Sequence, residues 1–202
     1  MRRNMGNGLQ VVSGKGSGSG RAGIRYAAVA LVILLFFVFQ PIQGEAAGDD
    51  SSGPGYSLSL AAGSDKHGSS ALRLIGAVWC PHWFDLGNDM VIRRRLELDL
   101  GVFDTRDTTV DIGIQPVFRL EYLGWSIRPY IDAGAGIRFL SRSNIRGRQM
   151  GGAFQFSLIG GAGIQLSDRF GMGYRFLHIS NANIHKDNDG RDEHLLFLSW
   201  RF

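Results

Sequence analysis

Apolar and polar residues alternate with a period of two along almost the whole chain after Gly48. From position 110, even-numbered positions carry Val, Ile, Pro, Phe, Leu and Tyr, whereas most odd-numbered positions carry Asp, Gly, Gln, Arg or Glu. Such an alternation predicts strands that have one apolar and one polar face. The pattern predicts eight strands, at residues 56–62, 72–84, 92–103, 110–122, 127–139, 154–166, 170–180 and 192–202.

The length of these strands favours a membrane protein. Several of them span 10 to 13 residues, whereas strands of soluble sheets have about 5 or 6 residues and tilted membrane-spanning strands need about 9 to 11. The chain also ends on an aromatic residue, Phe202, inside an amphipathic strand. We therefore expect an all-β fold, an eight-stranded antiparallel transmembrane β-barrel whose apolar face meets lipid. Side chains fill a barrel of this size, so a channel is not expected.

The N-terminal segment indicates export. Arg21 and Arg25 precede a short apolar run at 27–39, and small residues follow it. This order is typical of a secretory signal peptide, and the run is shorter than the ~20 residues of a spanning helix. We predict that residues 1–47 are a signal peptide with a disordered N-terminal extension and that residues 48–202 form the barrel, located in a bacterial outer membrane.

Composition narrows the function classes. The chain has 202 residues, a net charge of +4 and scattered Lys and Arg, so nucleic acid is not an expected partner. Its one cysteine, Cys80, cannot form an internal disulfide and is expected to be a small hydrophobe in a strand. The glycine clusters at 132–138 and 159–165 lack the lysine and the following helix of a phosphate-binding loop. They are expected to make room for bulky neighbours inside a narrow barrel.

An even number of strands places both termini on the periplasmic side, so the connections alternate between the two membrane faces. Periplasmic turns are expected at 85–90, 123–124 and 167–169. Outer loops are expected at 64–70, 104–108, 141–149 and 181–191. The last of these loops lies at the outer leaflet, where lipopolysaccharide is the abundant lipid.

The strand parity of the last hairpin brings three chemical groups together. His178 and Ser180 continue the lipid-facing positions of the seventh strand, two residues and ~6.5 Å apart. On the eighth strand, Asp192 shares the lipid-facing parity, whereas Glu193 falls on the lumen side. A hydroxyl, an imidazole and a carboxylate on one patch are the groups that nucleophilic ester hydrolysis needs.

Simpler interpretations of this region remain open. A histidine near a strand end is commonly a solvated rim residue, and Ser180 and Asn181 could simply begin the loop. The acids on either side of Gly190 only partly match a calcium loop, since the full ligand series is absent, so no metal is expected. Arg146 and Arg148 in the preceding outer loop could contact lipid phosphates or stay solvated.

The last hairpin resembles the lipid A 3-O-deacylase (PagL) family, whose members are eight-stranded outer-membrane barrels. That family carries a His-x-Ser-Asn stretch, a short loop with Asn-x-Gly, and a carboxylate two residues after the glycine. The resemblance covers about 17 residues closely. The matching residues here are His178, Ser180, Asn181, Asn188, Gly190 and Asp192.

The resemblance implies that His178 is the base, Ser180 the nucleophile and Asp192 the orienting acid. The family acid is typically Glu, so the neighbouring Glu193 is an alternate acid, and Asn183 takes a place that usually holds a small residue. The resemblance also implies residues that line the oxyanion or bind the substrate, which are Asn181, Asn183, Asn188 and Gly190.

The function implied is an outer-membrane esterase that removes the 3-O-linked 3-hydroxyacyl chain from lipid A, without a cofactor. Its expected partners are lipopolysaccharide as the substrate and outer-membrane lipid. The oligomeric state is left open, with a homodimer as one option. The alternatives are a non-catalytic small barrel for adhesion or envelope stability, and another lipid-acting barrel such as a phospholipase.

Overall fold

The computed structural model of the chain describes residues 55–80, 84–103, 108–145 and 147–202. The predicted signal peptide, residues 1–47, and Arg146 lie outside these ranges. Eight long strands make up the barrel, in agreement with the sequence pattern. They are β1 (Gly55–Asp65), β2 (Ser70–Trp79), β3 (Met90–Phe103), β4 (Thr109–Tyr122), β5 (Arg128–Leu140), β6 (Phe154–Gln165), β7 (Phe170–Ser180) and β8 (Arg191–Arg201).

Every strand pairs with the next one in an antiparallel ladder, and β8 pairs back with β1, where Leu198 lies opposite Leu60. The ladder between β2 and β3, with Ile75 opposite Asp99, completes the ring. The sheet therefore closes into an eight-stranded antiparallel barrel, which confirms the predicted fold class. Among the described residues, no helix is long and apolar enough to cross a membrane.

Two of the predicted connections differ from the structure. The second strand was predicted to run to residue 84 and to be followed by a turn at 85–90, but it ends at Trp79. A separate short strand, Phe84–Gly87, pairs with the beginning of β3. A two-residue turn joins them, with positive φ at Asn88 (52°) and Asp89 (63°), because Asn and Asp tolerate the left-handed region. The expected tight turn at 123–124 is instead a five-residue connection, since β4 ends at Tyr122 and β5 begins at Arg128.

The two faces of the barrel have opposite chemistry. Leu196 is 70% exposed on the outer face, whereas Asp99 and Arg138 are fully buried in the lumen. Apolar side chains therefore point outward, toward the position of lipid, and charged side chains point inward. This arrangement confirms the parity that was read from the sequence.

The lumen is filled by a network of buried ion pairs. Arg73 binds Glu193 at 2.8 Å and Asp99 at 3.1 Å, and Arg175 binds Glu97 at 2.9 Å. Further lumen pairs, between arginines and carboxylates on adjacent or next-but-one strands, are Arg95–Asp132, Arg119–Asp132 and Arg138–Asp111. Because these buried charges are matched by opposite charges, the polar face is tolerated away from water.

The two ends of the barrel differ, and we call the end with the longer connections the loop end. It holds residues 66–69, residues 141–153, here called the bracing loop, and residues 181–190, here called the site loop. The bracing loop contains a small hairpin in which Asn144–Ile145 pairs with Arg148–Gln149. The sequence pattern predicted only a loop at this place.

Candidate active site

His178, Ser180 and Asp192 meet on the outer face at the loop end. The register of β7 and β8 places the Cα of His178 directly opposite that of Asp192. His178 Nδ1 lies 2.6 Å from Asp192 Oδ1, and His178 Nε2 lies 3.1 Å from Ser180 Oγ. The side chains of His178 and Asp192 are 36% and 28% exposed. The imidazole thus bridges a hydroxyl and a carboxylate at a half-buried position.

The two neighbouring acids lie on opposite faces of the sheet. Glu193 is fully buried in the lumen, where its carboxylate accepts hydrogen bonds from Arg73 and from Arg191 Nε, each at 2.8 Å. Asp192 faces outward and contacts His178. Because successive residues of a strand point to opposite faces, the wall of the barrel separates Glu193 from the imidazole.

Asn181 holds the site loop to the bracing loop. It is fully buried, and its side-chain amide donates to the carbonyl oxygens of Met150 at 2.8 Å and Asp187 at 2.7 Å. Its backbone N–H donates to Asn188 Oδ1 at 3.1 Å. The donors of Asn181 are therefore engaged within the loops, and its implied place near the oxyanion stays a prediction.

The turn after Asn181 runs through the left-handed backbone region at Ala182 (φ 51°) and Asn183 (φ 62°). Asn183 Oδ1 accepts a hydrogen bond from Asn188 Nδ2 at 3.0 Å. Asparagine adopts this conformation more readily than most residues, which is a physical reason for Asn183 at a position where a small residue is usual. Asn188 thus braces both ends of the turn.

The backbone at Gly190 passes close to the cluster. A Cβ atom at this position would lie 3.5 Å from His178 Cε1 and 3.8 Å from Ser180 Cβ. The φ angle of Gly190 is 58°, so a larger side chain would also be strained there. Gly190 therefore lies beside His178, Ser180 and Asp192, while the three asparagines shape the loop next to them.

Sequence reasoning missed two neighbours of the cluster. Lys66 Nζ lies 3.6 Å from Asp192 Oδ2, because the β1–β8 ladder that closes the barrel brings the first loop beside the last strand. On the outer face below the site, Tyr174 Oη lies 2.6 Å from His194 Nδ1. Both contacts depend on strand pairing, and local sequence contains no motif that signals them.

No cluster suited to a metal ion occurs in the part of the chain that the structure describes, counting groups of three or more His, Cys, Asp or Glu side chains. Among the acids of the site loop that partly matched a calcium loop, Asp189 accepts a hydrogen bond from the backbone N–H of Gln149 at 2.6 Å. Asp189 thus fastens the site loop to the bracing loop.

A closed barrel of eight antiparallel strands, with an apolar outer face and a charged lumen, defines an outer-membrane β-barrel protein. The chain belongs to the lipid A 3-O-deacylase (PagL) family, whose model matches residues 71–201. This finding confirms the resemblance that was read from the last hairpin.

Two curated relatives support the assignment. The chain is 34% identical to the lipid A deacylase PagL of Pseudomonas aeruginosa over 86 residues, which are 43% of this chain and 50% of the relative. It is 36% identical to the lipid A deacylase PagL of Bordetella bronchiseptica over 75 residues, 37% of this chain and 42% of the relative. The matched segments thus span about half the length of these curated relatives, or less.

A solved structure shares the fold. The crystal structure of the outer membrane enzyme PagL superimposes with a TM-score of 0.67 and 24% sequence identity. The match covers 71% of this chain and 97% of that chain.

Proposed function

We propose that this protein is an outer-membrane esterase that removes the 3-O-linked 3-hydroxyacyl chain from lipid A. The observation that carries the proposal is the position of His178 between Ser180 and Asp192 on the lipid-facing side of a barrel of this family. A soluble ester hydrolase commonly places such groups in a concave cleft or pocket. On the outer face at the loop end, these groups would meet the boundary between the acyl chains and the sugar headgroup of an outer-leaflet glycolipid.

The geometry supports a serine-hydrolase mechanism. As Ser180 Oγ attacks the ester carbonyl carbon, His178 Nε2 takes the hydroxyl proton and a tetrahedral oxyanion forms. Asp192 Oδ1 accepts the hydrogen bond of His178 Nδ1–H, which fixes the tautomer and stabilises the imidazolium.

Collapse of the intermediate breaks the bond between the carbonyl carbon and the sugar oxygen, which leaves with the proton from His178. Water, deprotonated by the same imidazole, then cleaves the acyl-serine and releases the 3-hydroxy fatty acid. The low dielectric constant of the surrounding lipid strengthens the contacts of His178 with its partners.

Small residues on the outer face below the site leave room for an acyl chain. Ala133 on β5 lies opposite Gly160 on β6, and Ala162 follows on the same side of β6. The larger Phe176 on β7, opposite Gly160, borders these small residues. A Cβ atom at Gly160 would have no heavy atom within 4 Å. We infer that the cleaved chain lies along this shallow trough, beneath His178.

Filling the trough should impair hydrolysis of long acyl esters selectively. In Gly160→Phe, we expect kcat/KM to fall about tenfold for a lipid A substrate, about 1.4 kcal/mol of transition-state stabilisation, and to change little for an acetyl ester. Gly76→Phe is the matched control, because Gly76 also faces outward and a Cβ atom there would have no heavy atom within 4 Å. Equal losses in the two variants, or on both esters, would contradict the trough.

The direct test is the mass of lipid A. The full-length protein is expressed in a bacterium whose own lipid A retains the 3-O-linked acyl group. The lipid A of these cells should become lighter by one 3-hydroxyacyl group. Purified protein in detergent should release the same fatty acid from isolated lipid A. If correctly assembled protein leaves lipid A unchanged in both settings, the proposal is wrong. Release of fatty acid from phospholipid alone would instead favour a phospholipase.

A further inference from the structure

We propose that the bracing loop is a clasp that sets the position of the site loop, with Arg148 as its positioning residue. The proposal rests on the proposed function for its kinetic consequences, but the clasp itself is a feature of the fold. The small hairpin of the bracing loop is anchored in the barrel interior, because Ile145 is 3% exposed and Met150 is 1% exposed. The clasp is therefore attached to a rigid part of the molecule.

The contacts of the clasp converge on the end of the site loop. Arg148 Nη2 donates to the carbonyl oxygen of Asp189 at 3.0 Å and to that of Gly190. Its Nη1 lies 3.6 Å from Asp65 Oδ2, and Asp65 also binds Arg191 at 3.0 Å. One guanidinium thus links the bracing loop, the end of β1 and the backbone that leads into β8.

A second set of hydrogen bonds runs parallel to these contacts. The N–H of Gln149 donates to Asp189 Oδ2 at 2.6 Å, and the N–H of Asp189 donates to the carbonyl oxygen of Gln149 at 3.1 Å. Asn181 at the other end of the site loop is held by Met150, as described above. The bracing loop therefore fastens both ends of the site loop, which connects Ser180 to the strand that carries Asp192.

The clasp is relevant to the reacting groups because of Gly190. The backbone of this residue passes so close to the cluster that an added Cβ would lie 3.5 Å from His178 Cε1. Gly190 also precedes Asp192 by two positions, and glycine has the widest backbone freedom of any residue. Hydrogen bonds from a charged donor to the Gly190 carbonyl are stronger than neutral ones. Arg148 thus restrains the flexible point next to the site. It acts through the backbone and touches no reacting atom.

Arg148 could have a different role, direct binding of a phosphate group on the substrate, and the geometry bears on the choice. The Arg148 side chain is 17% exposed, and its guanidinium is already directed at two carbonyl oxygens and a carboxylate. Lys66 at the same end is 57% exposed. The exposed cation suits an anionic headgroup better, whereas the geometry of Arg148 points to positioning.

The kinetic test compares Arg148→Met, which removes the guanidinium but keeps the apolar stem, with Arg148→Lys. Two substrates are used, lipid A and a p-nitrophenyl ester that carries no phosphate. We expect kcat of Arg148→Met to fall about ten- to a hundredfold on both, as for small displacements of reacting groups, with KM changed less than about threefold. Arg148→Lys should recover part of kcat. The control Lys186→Met removes an exposed charge of the site loop and should leave kcat unchanged.

A second measurement tests the contacts of the clasp independently of catalysis. Hydrogen exchange of the detergent-solubilised full chain should show the Asp189 amide exchanging at least about tenfold faster in Arg148→Met than in wild type or Lys186→Met. Unchanged exchange, or a loss confined to KM for lipid A, would overturn the positioning role. If wild-type protein does not deacylate lipid A, the proposed function is wrong, and the exchange rates alone then decide whether the clasp exists.

Discussion

Replacement of Ser180 by alanine is expected to reduce deacylation of lipid A by about ten-thousand-fold or more, since loss of the nucleophile in serine hydrolases removes nearly all covalent catalysis. Ser180 Oγ is the hydroxyl that lies 3.1 Å from His178 Nε2, and alanine leaves the imidazole without a group to deprotonate. The measurement is the rate of 3-hydroxy fatty acid release from lipid A by the purified variant in detergent.

The same substitution should leave barrel assembly intact. Ser180 is the last residue of β7, its side chain is on the outer face of the sheet, and it is not fully buried. Heat-modifiable migration in gels reports assembly. Ser64→Ala is the matched control, since Ser64 is an exposed serine on the outer face of β1 at the same end. Substantial fatty acid release by assembled Ser180→Ala would rule out Ser180 as the nucleophile.

Substitutions of the two adjacent acids should affect different properties, turnover for Asp192 and barrel stability for Glu193. Asp192→Asn is expected to lower kcat by about a thousand- to ten-thousand-fold, because an amide at this place favours the wrong tautomer of the imidazole. Asp192→Glu restores the carboxylate that is typical of the family and should retain measurable turnover. The experiment measures kcat on lipid A for each assembled variant.

Glu193→Ala should have the opposite profile. Its carboxylate is buried between Arg73 and Arg191, and removal of one partner of a buried ion pair costs about 3–5 kcal/mol of unfolding free energy. We expect unfolding at lower denaturant concentration, with near-normal kcat for the molecules that assemble. If Glu193→Ala abolishes turnover in a stable barrel while Asp192→Asn stays active, Glu193 is the acid and the proposed assignment is wrong.

The geometry of the candidate site could be predicted from the sequence because its three residues lie close together in the chain. His178 and Ser180 share one strand, and Asp192 lies on the next strand of the same hairpin. Antiparallel neighbours that are close in sequence have a register that the alternation of apolar residues largely specifies. The outward direction of Asp192 and the inward direction of Glu193 could therefore be deduced from Leu196 and the residues that follow it.

Other predictions depend on information that the pattern does not contain. The signal peptide at 1–47 stays a prediction, because it lies outside the described residues. The second strand was predicted to continue to residue 84, but apolar residues are compatible both with a long strand and with a break followed by the short strand Phe84–Gly87. Periodicity alone does not locate such breaks.

The alternation of side chains thus determined the number of strands, their faces and the shared direction of His178, Ser180 and Asp192. Pairing between distant segments decided the rest. The closing of β8 on β1 brought Lys66 to Asp192, and the folding of the bracing loop brought Arg148 to Gly190. The physical reason is that period two is a property of each strand, whereas contacts between loops depend on the closed barrel that holds their ends together.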